Sequence, residues 1–125
     1  MPAERRLPVR FPTAAWQEDL ASATTAAQQA ARTARRRYER HGISPTELRR
    51  VELPGPDGTE LEHCVKVYLP PPAGRWGMVL QFTRDHHSGE LVLVYIAFGV
   101  RHHPADSHAE TVYQRAHRRL HPSTS

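Results

Sequence analysis

The run from Leu91 to Val100, LVLVYIAFGV, constrains this chain more than any other feature. It is almost wholly apolar, rich in β-branched and aromatic residues, and bracketed by Gly89 and Pro104. Such a run is long for a strand and short for an unaided helix. Val92, Val94, Tyr95, Ile96 and Phe98 favour the strand. A strand apolar on both faces is covered on both, so the run belongs inside a sheet. Arg101, His102 and His103 follow at once. A buried strand thus delivers a cation and two near-neutral bases to the sheet edge.

The elements around it read in order. Residues 1–8 form a flexible arm, and Val9 to Phe11 a very short strand before Pro12. Thr13 opens a long helix to about Arg40, with Trp16, Leu20, Ala23, Ala27, Ala30, Ala34 and Tyr38 on one face. Gly42 ends it. Ser44-Pro45-Thr46-Glu47 is a capping box with proline in the first turn, which predicts a short second helix to about Val51. The pair reads as an antiparallel helical hairpin. Pro54 to Gly58 is a turn, Leu61 to Leu69 a strand stopped by Pro70, Pro71 and Pro72, and Arg75 to Arg84 an alternating strand with Trp76, Met78, Leu80 and Phe82 inward. Asp85 to Gly89 links it to the long apolar strand in a hairpin. Ala109 to Leu120 is a last helix, docked through Val112, Ala116 and Leu120 or anchored by Val112 and Tyr113 alone, and residues 122–125 are a disordered tail. The fold class is therefore α+β: one domain over residues 9–121, with the helical hairpin packed on a small antiparallel β-sheet and a C-terminal helix.

Charge narrows the function classes. Lys and Arg total 17 against 13 Asp and Glu, a net charge of +4, and only Lys66 is lysine. Guanidinium suits forked contact with phosphate and stacking on bases; GC-rich coding bias is the plainer explanation. The single Cys64 excludes an intramolecular disulfide and reads as a small buried residue. No apolar run reaches membrane-spanning length, and the N-terminus carries no signal-like apolar core, so a cytoplasmic protein without membrane partners is the default. No glycine-rich phosphate loop, G-x-S-x-G or paired carboxylate motif is present.

Three constellations remain. The hairpin register places Arg75 beside Arg101, so Arg75, Arg101, His102 and His103 share one edge. An arginine can clamp a phosphate while a histidine moves a proton, which is sufficient for metal-independent cleavage of RNA; a polar loop after a buried strand is the alternative. His102, His103, His108 and Asp106 are metal-ligand types but match no zinc spacing, and adjacent histidines on extended chain point apart. His86 and His87 read as solvated turn residues. Arg35, Arg36, Arg37 and Arg40, with Arg32, Arg49 and Arg50, form a ridge suited to a nucleic-acid backbone or simply to solvent. Tyr113, Arg115, His117, Arg118 and Arg119 extend the basic character into the last helix.

A short strand, a helical hairpin and a three-stranded meander ending in a basic segment resemble the RelE/ParE superfamily of bacterial toxins. Arg75 to Leu80, Leu91 to Gly99 and Arg101-His102-His103 carry the resemblance. It implies a RelE-like fold and a cofactor-free endoribonuclease cutting messenger RNA on the ribosome, or a gyrase poison of the ParE type. It implies Arg101 as phosphate clamp, His102 or His103 as acid or base, Arg75 and Tyr113 as further catalytic candidates, and Lys66 as an additional cation. It also implies a cognate antitoxin, acidic or disordered, as partner. The chain departs from the family pattern in the Pro104 to Ser107 insertion and the helix after it, which covers the site or moves Tyr113 away. A non-catalytic module of the same fold, binding nucleic acid or protein, is the rival reading.

Overall fold

Leu91–Val100 forms a strand (β5) with partners on both sides, in a computed structural model that describes residues 6–52, 55, 58–104 and 107–122. The remaining elements are Val9–Arg10 (β1), Thr13–Ala21 (α1), Thr25–His41 (α2), Arg49–Arg50 (β2), Cys64–Tyr68 (β3), Trp76–Arg84 (β4) and Val112–Leu120 (α3). The class is α+β. The five strands lie in the order β1-β5-β4-β3-β2. The N-terminal arm to Arg5, most of the turn at Pro54 to Gly58, Asp106 and the tail from Ser123 lie outside the described residues. Among the described residues no helix is long and apolar enough to cross a membrane.

Three expectations are corrected. The helix from Thr13 is two helices. Ser22 and Thr24 divert backbone groups to their side chains: Ser22 Oγ donates to Asp19 O at 3.1 Å, and Thr24 Oγ1 accepts from Ala27 N at 3.2 Å as the cap of α2. Gln28 Nε2 then donates to the freed carbonyls of Leu20 and Ala23 at 2.8 and 3.2 Å. The single helix expected from Thr13 is therefore α1 followed by α2, and both lie on one face of the sheet. The capping box of Ser44 and Glu47 forms, but it starts only a 3-10 turn over Pro45–Glu47. Leu48 is already extended, and Arg49 and Arg50 pair with Lys66 and Val65 instead of continuing the helix. The sheet, lastly, is mixed: β3, β4 and β5 form the expected antiparallel meander, but β1 runs parallel to β5.

Both faces of β5 are covered. On one lie α1 and α2, whose Trp16, Leu20, Ala27, Ala31, Ala34 and Tyr38 pack against Met78, Leu80, Leu93, Tyr95 and Phe98. On the other lies α3, whose Val112 and Ala116 pack against Val79 and Ala97. A β-bulge makes this sorting possible. Val79 faces Ala97 while Leu80 faces Tyr95, so Ile96 is an extra residue. It puts Tyr95 and Phe98 on the same face, where strict alternation would separate them. Ile96 and Ala97 both turn towards α3.

β1 covers only Leu93 and Val94, and the free edge of β5 beyond it is closed by side chains. Asp19 of α1, fully buried, accepts from Phe98 N at 2.9 Å and from the Tyr95 hydroxyl. Arg115 and Arg119 reach round the edge from α3. Arg115 Nη1 donates to Asp19 at 2.9 Å and to Phe98 O at 3.0 Å. Arg119 donates to both Asp19 oxygens at 2.8 and 2.7 Å and to Ile96 O at 2.8 Å. Burial, with the Asp19 charge beside it, pushes the Tyr95 phenol far above its usual range, so it stays a donor. Removing one partner from a buried ionic set costs about 3–5 kcal/mol. Asp19→Ala should lower the stability by that order in guanidinium unfolding, with a smaller loss for the isosteric Asp19→Asn. A loss within about 0.5 kcal/mol, the size of an ordinary surface substitution, would show that the edge is held by something else.

Candidate functional site

α3 lies over β5 and β4, and the β3–β2 half of that face carries polar side chains. Alternation along β3 sends Val65 and Val67 to the α2 side, and Cys64, Lys66 and Tyr68 to the α3 side. Arg49 sits across the ladder from Lys66. Arg101, just past β5, lies flat on the sheet. Its backbone N–H donates to Arg75 O at 2.8 Å and its Nη2 to Gly74 O at 2.7 Å. Gly77 makes the space: a Cβ there would stand 3.1 Å from Arg101 Cδ and 2.9 Å from Val67 O.

These residues converge on one phenol. The Arg101 guanidinium carbon lies 3.9 Å from the Tyr68 ring centre, that of Arg49 4.4 Å, and Lys66 Nζ 5.6 Å. Lys66 Nζ also lies 5.3 Å from the ring of Tyr113, in the first turn of α3, and the His102 ring is 6.4 Å from the same tyrosine. Among the described residues no carboxylate pairs with Arg49, Lys66, Arg75 or Arg101. Partial burial opposes ionisation of Tyr68, but Lys66, Arg101 and Arg49 outweigh it and hold the phenol below its ordinary range. Burial dominates at Tyr113 and raises its phenol despite Lys66 and Arg101. Cations fixed around a phenol can bind an anion, and the phenol, once ionised, can accept a proton.

Beside the cluster opens a cleft of about 230 Å3, walled by Val51, Glu52, Gly55, Thr59, Leu61, Lys66, His102 and Tyr113. The chain at Glu60 is tied to α3: its N–H donates to His117 Nδ1 at 2.9 Å, and its carbonyl accepts from His121 Nε2 at 2.9 Å.

Of the residues expected at the site, Arg101, His102, Tyr113 and Lys66 come together. Arg75 is exposed beside them, its Nη2 donating to His102 O at 3.3 Å. His103 points away, Nε2 donating to Glu110 O at 3.0 Å. The helical ridge is elsewhere, on the opposite side of the sheet from Lys66. There Arg35 stacks on Phe11 and Trp16 and pairs with Glu39, and Arg37 pairs with Glu47; Arg36 and Arg40 are exposed. Arg115 and Arg119 are consumed by Asp19, and Arg118 by Glu110, so α3 adds less free charge than its composition suggests. Among the described residues no group of three His, Cys, Asp or Glu could hold a metal ion. Burial pushes the Cys64 thiol up to about 11, which makes it a poor nucleophile. Tyr68 was not anticipated. The available signal was the period of two that joins it to Lys66, with Gly77 opposite in the register.

Spectroscopic pH titration of tyrosine should show one phenol ionising below the ordinary value near 10, and Tyr68→Phe should remove it. Arg101→Ala should move that titration upward, and Gly77→Ala, by displacing Arg101, should do the same. An unchanged curve in Arg101→Ala would break the proposed electrostatic link. Comparison of the chain with protein-family models, with curated proteins and with solved structures finds no match.

Proposed function

We propose that this chain is a RelE-like, metal-independent endoribonuclease, and that the Tyr68 cluster is its active centre. The observation that carries the reading is the placing of Lys66, Arg49 and Arg101 around the Tyr68 phenol, whose ionisation they favour, with no acid pairing with those cations among the described residues. In this mechanism Tyr68, as phenolate, takes the proton of a ribose 2′-hydroxyl. The 2′-oxygen attacks the adjacent phosphorus, Arg101 and Lys66 stabilise the crowded phosphate, and His102 gives a ring proton to the departing 5′-oxygen. The products are a 2′,3′-cyclic phosphate and a 5′-hydroxyl. Messenger RNA on the ribosome is the proposed substrate, and an acidic antitoxin segment the proposed partner, complementary to the basic face.

A second reading, a module that binds nucleic acid or a protein target without cutting, draws on Arg101. Its Nη2 is held by Gly74 and its Nε is buried without a partner, so it is a fixed cation as much as a reacting one.

End-labelled RNA and translating ribosomes, each with and without chelator, separate the two. Chelator-resistant cuts are expected, and Tyr68→Phe and Arg101→Ala should each slow them about 10²-fold or more. The rate should fall on the acid side of its pH profile, because the base acts deprotonated, and Tyr68→Phe should abolish that fall. RNA binding without cuts by the folded protein would favour the second reading; neither cuts nor binding would remove both.

A further inference from the structure

We infer that the cleft beside the cluster is a guanine-selective base subsite, with Glu52 as the residue that reads the base. The inference rests on the RNA reading of the neighbouring cations and adds which nucleotide they hold. Lys66 belongs to both the cluster and the cleft. A phosphate on the cations and a base in the cleft can therefore belong to one nucleotide.

The lining suits a flat ring. Tyr113 offers an aromatic wall, and Leu61, 2 % exposed, and Val51 offer apolar contact. Single-stranded RNA is read in this way, by stacking bases on aromatic side chains and bonding their edges. At about 230 Å3 the cleft is smaller than the roughly 300–1,000 Å3 of drug-sized sites, which fits one base rather than several.

Glu52 supplies the selectivity. It is exposed and, among the described residues, in no ion pair, although Lys66 lines the same cleft. A carboxylate only accepts, and two oxygens accept best from two adjacent N–H groups. Guanine alone presents such a pair, N1–H beside the N2 amino group. Adenine and cytosine each set their amino group beside an acceptor nitrogen, and uracil flanks its N–H with two carbonyls. Other residues of the cleft wall and its flank are tied down: Gly55 N donates to Thr59 O at 2.9 Å, a Cβ on Gly55 would lie 2.3 Å from Thr59 Oγ1, and the Glu60 backbone is bonded to His117 and His121.

Binding of the four ribonucleoside 3′-monophosphates, followed by tyrosine fluorescence, tests the inference without requiring catalysis. The guanosine form should bind at least about tenfold more tightly than the others, the scale of a two-bond contact to a base edge. Glu52→Gln should erase most of that preference, and Lys66→Ala should weaken all four. Equal binding of the four, or a guanine preference unchanged in Glu52→Gln, overturns the inference. RNA cleavage without nucleotide selectivity overturns it alone and leaves the proposed activity standing. Guanine selectivity that depends on Glu52, without any RNA cleavage, upholds the subsite and removes the catalytic reading.

Discussion

The carboxylate of Asp19 is the contact on which the rest of the molecule depends. Among the described residues β5 is the longest strand, and its outer edge has a strand partner only at Val9 and Arg10. The backbone groups beyond would be buried without partners at about 1–3 kcal/mol each, or stay open to other chains. Asp19 takes the Phe98 N–H, and the arginines that neutralise Asp19 take the carbonyls of Ile96 and Phe98. Each charge is thereby both paired and hydrogen-bonded, the condition under which burying it is tolerable. Because Arg115 and Arg119 are four residues apart on one side of α3, the same contact sets the rotation and height of that helix.

Where α3 settles decides what the sheet exposes. Held over β5 and β4, it leaves Arg49, Lys66, Tyr68 and Arg101 beyond its first turn and brings Tyr113 to their border. The remaining basic residues divide by partner. Arg35, Arg37, Arg115, Arg118 and Arg119 are paired with acids of the chain, and Arg35 is also stacked on rings. Net charge thus describes the composition, whereas the grouping of cations around Tyr68 is fixed by packing.

The sequence reveals much of this and hides the rest for definite reasons. The apolar length of Leu91 to Val100 identifies a doubly covered strand, and the alternation from Trp76 to Phe82 names its neighbour's inward face. The register of that hairpin brings Arg75 to Arg101, as the structure shows. Local signals fail where tertiary pairing competes with them. The capping box at Ser44 is real, yet the chain leaves the helix after one turn because the β3 edge offers Arg49 and Arg50 better partners. The Thr111-x-x-Gln114 capping box, which starts α3 three residues after Ala109, is legible in hindsight. Asp19 is legible as a carboxylate on the buried stripe between Trp16 and Leu20. Its partners are 76 to 100 residues away, and no local pattern connects them. The Tyr68 cluster is assembled from four separate segments and exists only once the sheet has formed.

The bulge at Ile96 has a bearing on how such a chain can diverge. It divides β5 into two stretches of opposite phase, with Tyr95 ending one and Ala97 beginning the next. Loss of Ile96 would restore plain alternation and leave Ala97 and Phe98 in their present layers. It would withdraw the Ile96 carbonyl that meets Arg119, and with it one of the contacts that close the edge of β5. Exchanges among aliphatic side chains along the same strand would leave every pairing intact. Relatives of this chain are therefore expected to vary in the composition of that strand well before they vary in its length.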